Sequence, residues 1–338
     1  MPITDMIFRP EDRPILTYLE DDGIAVEPEF YVPIIPMILV NGTLGIGTGF
    51  STNIPSYNPL EIIRALKSGS MKAFDSMKPF HRGFKGAINL HGDAAGRYSS
   101  HGKWRRTGPR TVVVDELPIG VWTEDFKGML EDRLVSDKGV ISKYDVQYKD
   151  PAFEFTITYA SEAVLDELLP KIEDDLKLVS TRGLSTSNMY LFNEASQITK
   201  YGSIREIVED FIKTRIKYYG KRRAFILRQL AEENRVLTAK SRFIEDVVAR
   251  RLEVGGRKLD AIVEAMTTMK YEKVEDSYDF LLRLPISSLT VERKVKLDDE
   301  IKVNEKSIKY YTNTSDRDLW MKELAELEDF LLKNGTYK

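Results

Sequence analysis

Hydrophobic positions recur with two different periods along this chain, and the change between them falls near residue 202. Before it the period is two. Tyr144, Val146 and Tyr148 alternate with Lys143, Asp145 and Gln147; beyond the turn pair Asp150-Pro151, Phe153, Phe155, Ile157 and Tyr159 alternate with Glu154, Thr156 and Thr158. Two such runs joined by a short turn predict an antiparallel hairpin, half buried. The β-branched run Thr111 to Val114 predicts another strand, ending before Pro118. Helical spacing is confined to short pieces. Asn58-Pro59 with Glu61 reads as an N-cap and first turn carrying Ile62, Ile63 and Leu66, and Ser161 opens a helix with Val164, Leu165, Leu168 and Leu169 that Pro170 stops. Pro28, Pro33, Pro36 and Pro55 among Gly42, Gly45, Gly47 and Gly49 forbid one long helix over residues 28–57.

After residue 202 the period becomes helical. Ser203 and Glu206 form a capping box, and from there to about Leu252 no proline occurs and Gly220 is the only glycine. Fifty helical residues would reach on the order of 75 Å. Ile204, Val208, Phe211, Leu230, Leu237 and Ile244 recur at three-, four- and seven-residue steps, the seam of a coiled coil or long bundle. Gly255-Gly256 predicts the break. A short amphipathic helix (Leu259, Ile262, Val263, Met266) and an apolar cluster (Phe280, Leu281, Leu282, Leu284) follow. A charged helix resumes from Thr290 to about Tyr310, and Ser315 with Asp318 caps a last one carrying Leu319, Trp320, Leu324, Leu327, Phe330 and Leu331. A long helix out, a small insert and helices back describe an antiparallel arm with a tip.

Composition adds exclusions. Of 338 residues, 42% are apolar and 30% charged, enough to build cores. The longest apolar run, Tyr31 to Val40, contains two prolines, so no stretch is fit to span a membrane. Cysteine is absent, which removes disulfides, thiolate catalysis and Cys-ligated zinc, and fits an intracellular chain without a basic leader. The net charge of −3 offers no overall positive field for nucleic acid, but its distribution is uneven. Residues 1–30 set Arg9 and Arg13 against eight carboxylates, whereas residues 94–114 carry Arg97, Lys103, Arg105, Arg106 and Arg110 with no acid.

Candidate chemistry is sparse. Gly45-Ile46-Gly47-Thr48-Gly49 lacks the Lys-Ser or Lys-Thr of a phosphate loop. Its alternate glycines let backbone approach another surface, and Ile46 is either a core plug or an apolar wedge between base pairs. His81, His91 and His101 stand ten residues apart and match no metal-ligand spacing. Asp21-Asp22 and Asp174-Asp175 lie in charged, solvated runs, and no convincing Ser/His/Asp arrangement is visible. Pro79-Phe80-His81-Arg82-Gly83-Phe84-Lys85-Gly86 mixes aromatics, bases and glycines, either as a turn with exposed bases or as a phosphate contact.

Taken in order, these stretches resemble the type IIA DNA topoisomerases, most closely the eukaryotic, large-virus and phage branch. Glu27 to Gly42 (EPEFYVPIIPMILVNG), running into Gly45 to Gly49, is similar to the family's signature in its DNA-cleavage half, and Pro55, Asn58, Pro59 and Glu61 continue it. Arg82-Gly83-Phe84-Lys85-Gly86, Glu116-Leu117-Pro118 with Trp122-Thr123, Ser187-Asn188-Met189 with Leu191-Phe192, Lys200-Tyr201, Arg215 to Arg223, Ser288-Leu289-Thr290 with Glu292, and Leu319-Trp320 all keep family order. The resemblance covers nearly the whole chain.

It implies double-strand passage: one duplex is bent and cut, a second passes through, and the cut is resealed. The implied fold is α+β, an α/β tower domain followed by a long antiparallel α-helical coiled-coil arm with a small helical gate at its tip. The domains would be 1–57 (distal winged-helix remnant and glycine-rich wedge segment), 58–200 (tower), 201–254 (outgoing helix), 255–287 (exit-gate tip) and 288–338 (returning helices). Double-stranded DNA would meet Gly45, Ile46, Gly47, Thr48, Gly49, Arg82 and Lys85, with the bases of residues 97–110 as further tower contacts. The gate would self-associate through Leu259, Ile262, Val263, Met266, Phe280 and Leu281. In the family the attacking tyrosine follows an arginine upstream of the segment resembling Met6 to Pro14; neither Tyr18 nor Tyr31 matches it. The tyrosine, the metal-holding acids and the ATPase are expected in an upstream partner region. Mg2+ and ATP are accordingly implied for the complete enzyme and none in this chain, whose first thirty residues would be a seam against that region. Two other readings are a nucleotide-dependent enzyme, which the missing phosphate-loop lysine opposes, and a coiled-coil scaffold with an α+β DNA-binding head.

Overall fold

Prolines and glycines cut the first fifty-odd residues into short elements. In a computed structural model, which describes residues 2–92, 96–136, 139–149 and 152–335, Pro2–Ile7 forms helix α1. Strands β1 (Tyr18–Asp21) and β2 (Ile24–Pro28) pair antiparallel around Asp22 and Gly23, both at positive φ. Helix α2 (Met37–Asn41) leads into the hairpin β3 (Thr43–Gly47) and β4 (Phe50–Ile54). Asn58 caps α3 (Pro59–Ser68), its Oδ1 accepting from Leu60 N–H at 2.9 Å, and Ile62, Ile63 and Leu66 are buried as their spacing predicts. Helix α4 (Lys72–Asp75) precedes the antiparallel pair β5 (Ala87–Leu90) and β6 (Tyr98–His101).

The period-two runs become the central sheet. Strands β7 (Lys103–Gly108) and β8 (Thr111–Glu116), helix α5 (Thr123–Ser136), then β9 (Ile141–Lys149) and β10 (Ala152–Tyr159) give a four-stranded antiparallel sheet in the order β7-β8-β10-β9. The β9–β10 hairpin is the expected one; its Asp150-Pro151 turn lies outside the described residues. Phe155 pairs with Val114 and Ile157 with Val112, and both pairs bury against Phe126 and Leu130 of α5, with Phe126 meeting Phe155 edge-on at 5.0 Å. Helix α6 (Glu162–Leu168) is capped by Ser161 as predicted, but Pro170 does not stop the chain's helical run. It sits at the start of a 3-10 turn, where its missing N–H costs nothing, and α7 (Ile172–Asp175) follows. Strand β11 (Val179–Ser180) edges β6, and β12 (Met189–Phe192) pairs with β13 (Ile198–Tyr201).

Ser203 and Glu206 open α8 (Ile204–Val248): Glu206 N–H donates to Ser203 Oγ at 3.3 Å, and the Glu206 carboxylate accepts from Gly202 N–H at 2.7 Å. The helix stops short of Gly255-Gly256. Arg250 takes the left-handed conformation at φ 57°, and the Arg251 and Leu252 amides both close on the Asp246 carbonyl. Helices α9 (Leu259–Thr268), α10 (Asp279–Leu282), α11 (Val291–Asn313, capped by Thr290) and α12 (Asp316–Lys333, capped by Ser315) complete the chain. The class is α+β, as expected.

Two compact units emerge: Met1–Phe8 with Pro33–Arg215 and Glu323–Lys338, and Arg9–Val32 with Ile216–Lys322. Within the first, Leu324, Leu327 and Leu331 are buried, and Glu328 pairs with Arg64 at 3.0 Å and Lys67 at 2.7 Å. Within the second, α8 and the helices after residue 290 run antiparallel. Arg223 pairs with Asp316 at 2.8 Å, Lys294 with Glu245 at 3.4 Å, and Ser241 donates to Asp298 at 2.6 Å. Of the expected seam, Ile204, Val208 and Ile244 are buried while Phe211, Leu230 and Leu237 are half-buried. Asp12 and Arg222, both almost wholly buried, form an ion pair at 3.5 Å in the same unit.

Candidate nucleic-acid interface

The glycine-rich segment folds as a two-stranded hairpin. Gly47 pairs with Phe50 across the loop Thr48-Gly49, and the positive φ falls on Gly49 (82°), the third turn position, where glycine is the residue that bears it without strain. At its base Gly42 is also obligatory: φ is 66°, and an added Cβ would lie 2.8 Å from the Ile54 carbonyl oxygen. Gly45 and Gly47 differ. Neither has positive φ; an added Cβ at Gly45 would meet nothing within 4 Å, and at Gly47 only the Phe50 oxygen at 3.9 Å. The hairpin's own packing therefore does not demand them. They leave the backbone bare beside Ile46.

Ile46 is 92% exposed and Leu44, two residues before it on the same face, 73%. The core-plug reading of Ile46 is thereby overturned: hairpin pairing sets Ser51 opposite it, and no wall of side chains covers the pair. Residues 30–60 also contain no Asp, Glu, Lys or Arg, so the hairpin carries no charge that would resist desolvation.

Arg82 and Lys85 lie exposed on the segment that follows α4. Phe80 N–H donates to the Ser56 carbonyl at 2.7 Å, and Ser56 Oγ donates back to the Phe80 carbonyl at 2.7 Å, which ties this segment to the chain just after β4. Lys85 N–H donates to Glu116 at 3.1 Å; burial pushes the Glu116 carboxyl above its usual range, and that bond opposes the shift. Gly86 has no room for a side chain against the His101 carbonyl and the Phe84 ring.

The basic stretch 97–110 is less available than its charge suggested. Arg105 is held by Asp115 at 2.6 Å and Glu154 at 2.9 Å. Arg106 is held by Asp166 at 2.8 Å and Glu162 at 3.2 Å, besides the Gly108 and Pro109 carbonyls. Arg105 ties β7 to its own sheet through β8 and β10, and Arg106 ties β7 to α6, so both are shared with acids, three of which lie more than forty residues along the chain.

The histidines do not converge. His81 Nδ1 lies 3.2 Å from Ser56 Oγ, whereas His101 has Nδ1 2.7 Å from Glu173 and Nε2 3.1 Å from Ser99 Oγ. Ser99 is itself buried, and this Ser-His-Glu contact, which lines a surface pocket with Trp104 and Lys171, joins β6 to α7. Sequence spacing gave no hint of Glu173.

The tip residues, taken within their own unit, also depart from expectation. Ile262, Met266 and Leu281 are buried in a core with Phe243, Tyr271 and Tyr278, so they cannot be closing contacts of a gate. The amphipathic helix spends its apolar face on its own unit. Val263 and Phe280 are half-buried against that core, and Leu259 remains 61% exposed. Among the described residues no group of three or more His, Asp or Glu side chains is placed to hold a metal ion, and the glycine hairpin has no lysine to meet a nucleotide phosphate. No described residue is accordingly assigned to Mg2+ or ATP.

The family model for DNA gyrase/topoisomerase IV matches residues 1–325. A DNA topoisomerase 2 of Invertebrate iridescent virus 6 is 35% identical over 98% of this chain and 28% of its own length. A mitochondrial DNA topoisomerase 2 of Dictyostelium discoideum is 31% identical over 98% of this chain and 26% of its own. The chain thus spans about a quarter of the length of these curated relatives. Among solved structures, the Plasmodium falciparum topoisomerase II DNA-binding, cleavage and re-ligation domain superposes with a TM-score of 0.84 at 31% identity, covering 98% of this chain and 49% of that one. With the family model spanning nearly the whole sequence and the fold following it, the chain belongs to the DNA gyrase/topoisomerase IV family, that of the type IIA DNA topoisomerases.

Proposed function

We propose that this chain is the DNA-bending and gate-forming part of an ATP-dependent type II topoisomerase acting on intracellular double-stranded DNA, with Ile46 as the wedge. The observation that carries this reading is the 92% exposure of Ile46 on a hairpin whose adjacent glycines serve no packing need. An isoleucine left in water forfeits about 1.5–3 kcal/mol that burial in a base stack would recover. Bending a 20–30 base-pair site costs on the order of 1–6 kcal/mol, so the wedge alone meets only the lower half of that range. Phosphate contacts must supply the rest, and Arg82 and Lys85 are the bases placed for it.

In the same reading residues 58–200 are the tower, 201–254 and 288–338 the two strands of a coiled-coil arm, and 255–287 the exit gate. The gate closes on a second copy through Leu259 with the rims of Val263 and Phe280, not through Ile262, Met266 or Leu281. Mg2+ and ATP serve the complete enzyme, and no tyrosine of this chain is assigned as nucleophile. Bend angle measured by fluorescence transfer between labelled duplex ends, paired with a denaturant midpoint, tests the wedge. Ile46→Ala should bend DNA less and unfold at the same denaturant concentration; a destabilised variant that bends normally sinks the reading.

A further inference from the structure

Strands β5, β6 and β11 and the turn before α7 enclose a pocket that the DNA reading does not use. His101 of β6 is paired with Val179 of β11, and Ser99 with Asn89 of β5, so these four side chains share one face of the sheet. The 3-10 turn Leu169–Lys171 and helix α7 border a cleft there of about 630 Å³, a size that suits a small molecule. One wall is fixed by a chain of hydrogen bonds. Trp104 Nε1–H donates to one Glu173 oxygen at 3.3 Å, the other lies 2.7 Å from His101 Nδ1, and His101 Nε2 lies 3.1 Å from Ser99 Oγ. These groups satisfy one another and so shape the pocket more than they bond what enters it. Leu169, Pro170, Ile172 and Val179 give it an apolar lining. Its outer charges are uncommitted. Lys171 and Asp174 both line the pocket and are exposed, and neither is paired with the other or with any described residue. The ion pair that opposite charges three apart commonly make on a helix is not formed.

We infer that this pocket binds a small zwitterion with an apolar body, of the amino-acid or dipeptide kind. The ligand's carboxylate meets the Lys171 ammonium, its ammonium meets the Asp174 carboxylate, and its side chain lies on the apolar lining. Asn89, exposed at the same pocket and without a side-chain partner, can donate to the carboxylate or accept from the ammonium. Charge selects this class over its relatives. An anion without an ammonium would sit beside Asp174 and Glu173 with only Lys171 to answer it, and a cation without a carboxylate would face Lys171. A neutral apolar molecule would leave both outer charges unanswered. The fixed wall keeps the pocket open without a ligand, so little ordering has to be repeated on binding.

The test uses the full chain with isotope-labelled Leu, Ile and Val methyl groups, followed by nuclear magnetic resonance. Four probes are titrated: L-phenylalanine, its amide, which lacks the carboxylate, its N-acetyl derivative, which lacks the ammonium, and glycyl-L-phenylalanine. The methyl resonances of Leu169, Ile172 and Val179 should shift and saturate with the zwitterions at about millimolar concentration. The two single-charge compounds should bind about two- to fivefold more weakly, the worth of one exposed ion pair. The tighter of phenylalanine and the dipeptide then tells free amino acid from peptide. Lys171→Gln should abolish the discrimination against the amide, and Asp174→Asn that against the acetyl compound. Both positions are exposed, so the denaturant midpoint should stay unchanged in each. Absence of a saturable shift at these methyls with all four probes overturns the inference. So does a single-charge compound that binds as tightly as the zwitterions, or discrimination that survives in both variants.

Discussion

Asn188 grips the Ile46 hairpin from outside it: its side-chain amide donates to the Ser51 hydroxyl at 2.9 Å and to the Ser51 carbonyl at 3.1 Å, and Ser51 is the residue paired with Ile46. An isolated two-stranded hairpin is marginal in water, so one proposed to push on stacked bases needs such a brace. Asn188→Ala removes two neutral hydrogen bonds of about 0.5–1.5 kcal/mol each. Amide exchange in Thr43 to Gly47 should accelerate roughly five- to tenfold or more, with little change in global stability. Unchanged exchange there would mean the hairpin holds its shape without Asn188.

Salt dependence should show which bases meet phosphate. Arg82→Ala and Lys85→Ala should each lower the slope of log affinity for duplex against log salt by about one. Arg105→Ala should not, because Asp115 and Glu154 already hold that guanidinium. A slope that falls for Arg105→Ala and stays for Arg82→Ala would move the phosphate track onto the sheet.

At the tip, buried and exposed apolar residues should part company. Met266→Ala, in a fully buried site, should cost about 2–5 kcal/mol of stability. Leu259→Asp should stay within about 0.5 kcal/mol yet shift sedimentation toward the monomer. Full self-association by Leu259→Asp would remove Leu259 from the proposed gate.

Acid should loosen the end of α8. Arg251 and Lys294 hold the Glu245 carboxyl below its usual range, and Lys294 with Ser241 does the same for Asp298. Burial pulls Asp246 upward, but hydrogen bonds from Tyr271 and Arg251 outweigh it and leave the net shift downward. A folded-state value below the unfolded one gives stability that is complete above the unfolded range, about 3.9–4.3, and is lost as pH falls through the lower folded values. Denaturant midpoints should therefore hold from neutrality to about pH 4 and then drop, and Asp246→Asn should shallow that drop. An equally steep acid limb in Asp246→Asn would assign it to other groups.

The elements that depend on neighbours in sequence were legible before any coordinates. The β9–β10 hairpin, the caps Asn58, Ser161, Ser203 and Ser315, and the buried stripe of α12 follow from alternation, capping chemistry and helical spacing. The ordered motifs carried the family, and the glycine run singled out Ile46. What the sequence could not decide is which side of an apolar residue meets water. Ile46 and Met266 both sit in apolar patterns, yet one stands in solvent and the other in a core, because burial depends on residues brought together from far along the chain. Partnership is equally non-local. Arg105 reads as a free base until Glu154 arrives across the sheet, and Asn188 reads as one letter of a motif until β12 lies against β4. The end of α8, by contrast, was settled locally, by the left-handed turn at Arg250 and closure on the Asp246 carbonyl, five residues before the glycines whose sequence signal pointed further on.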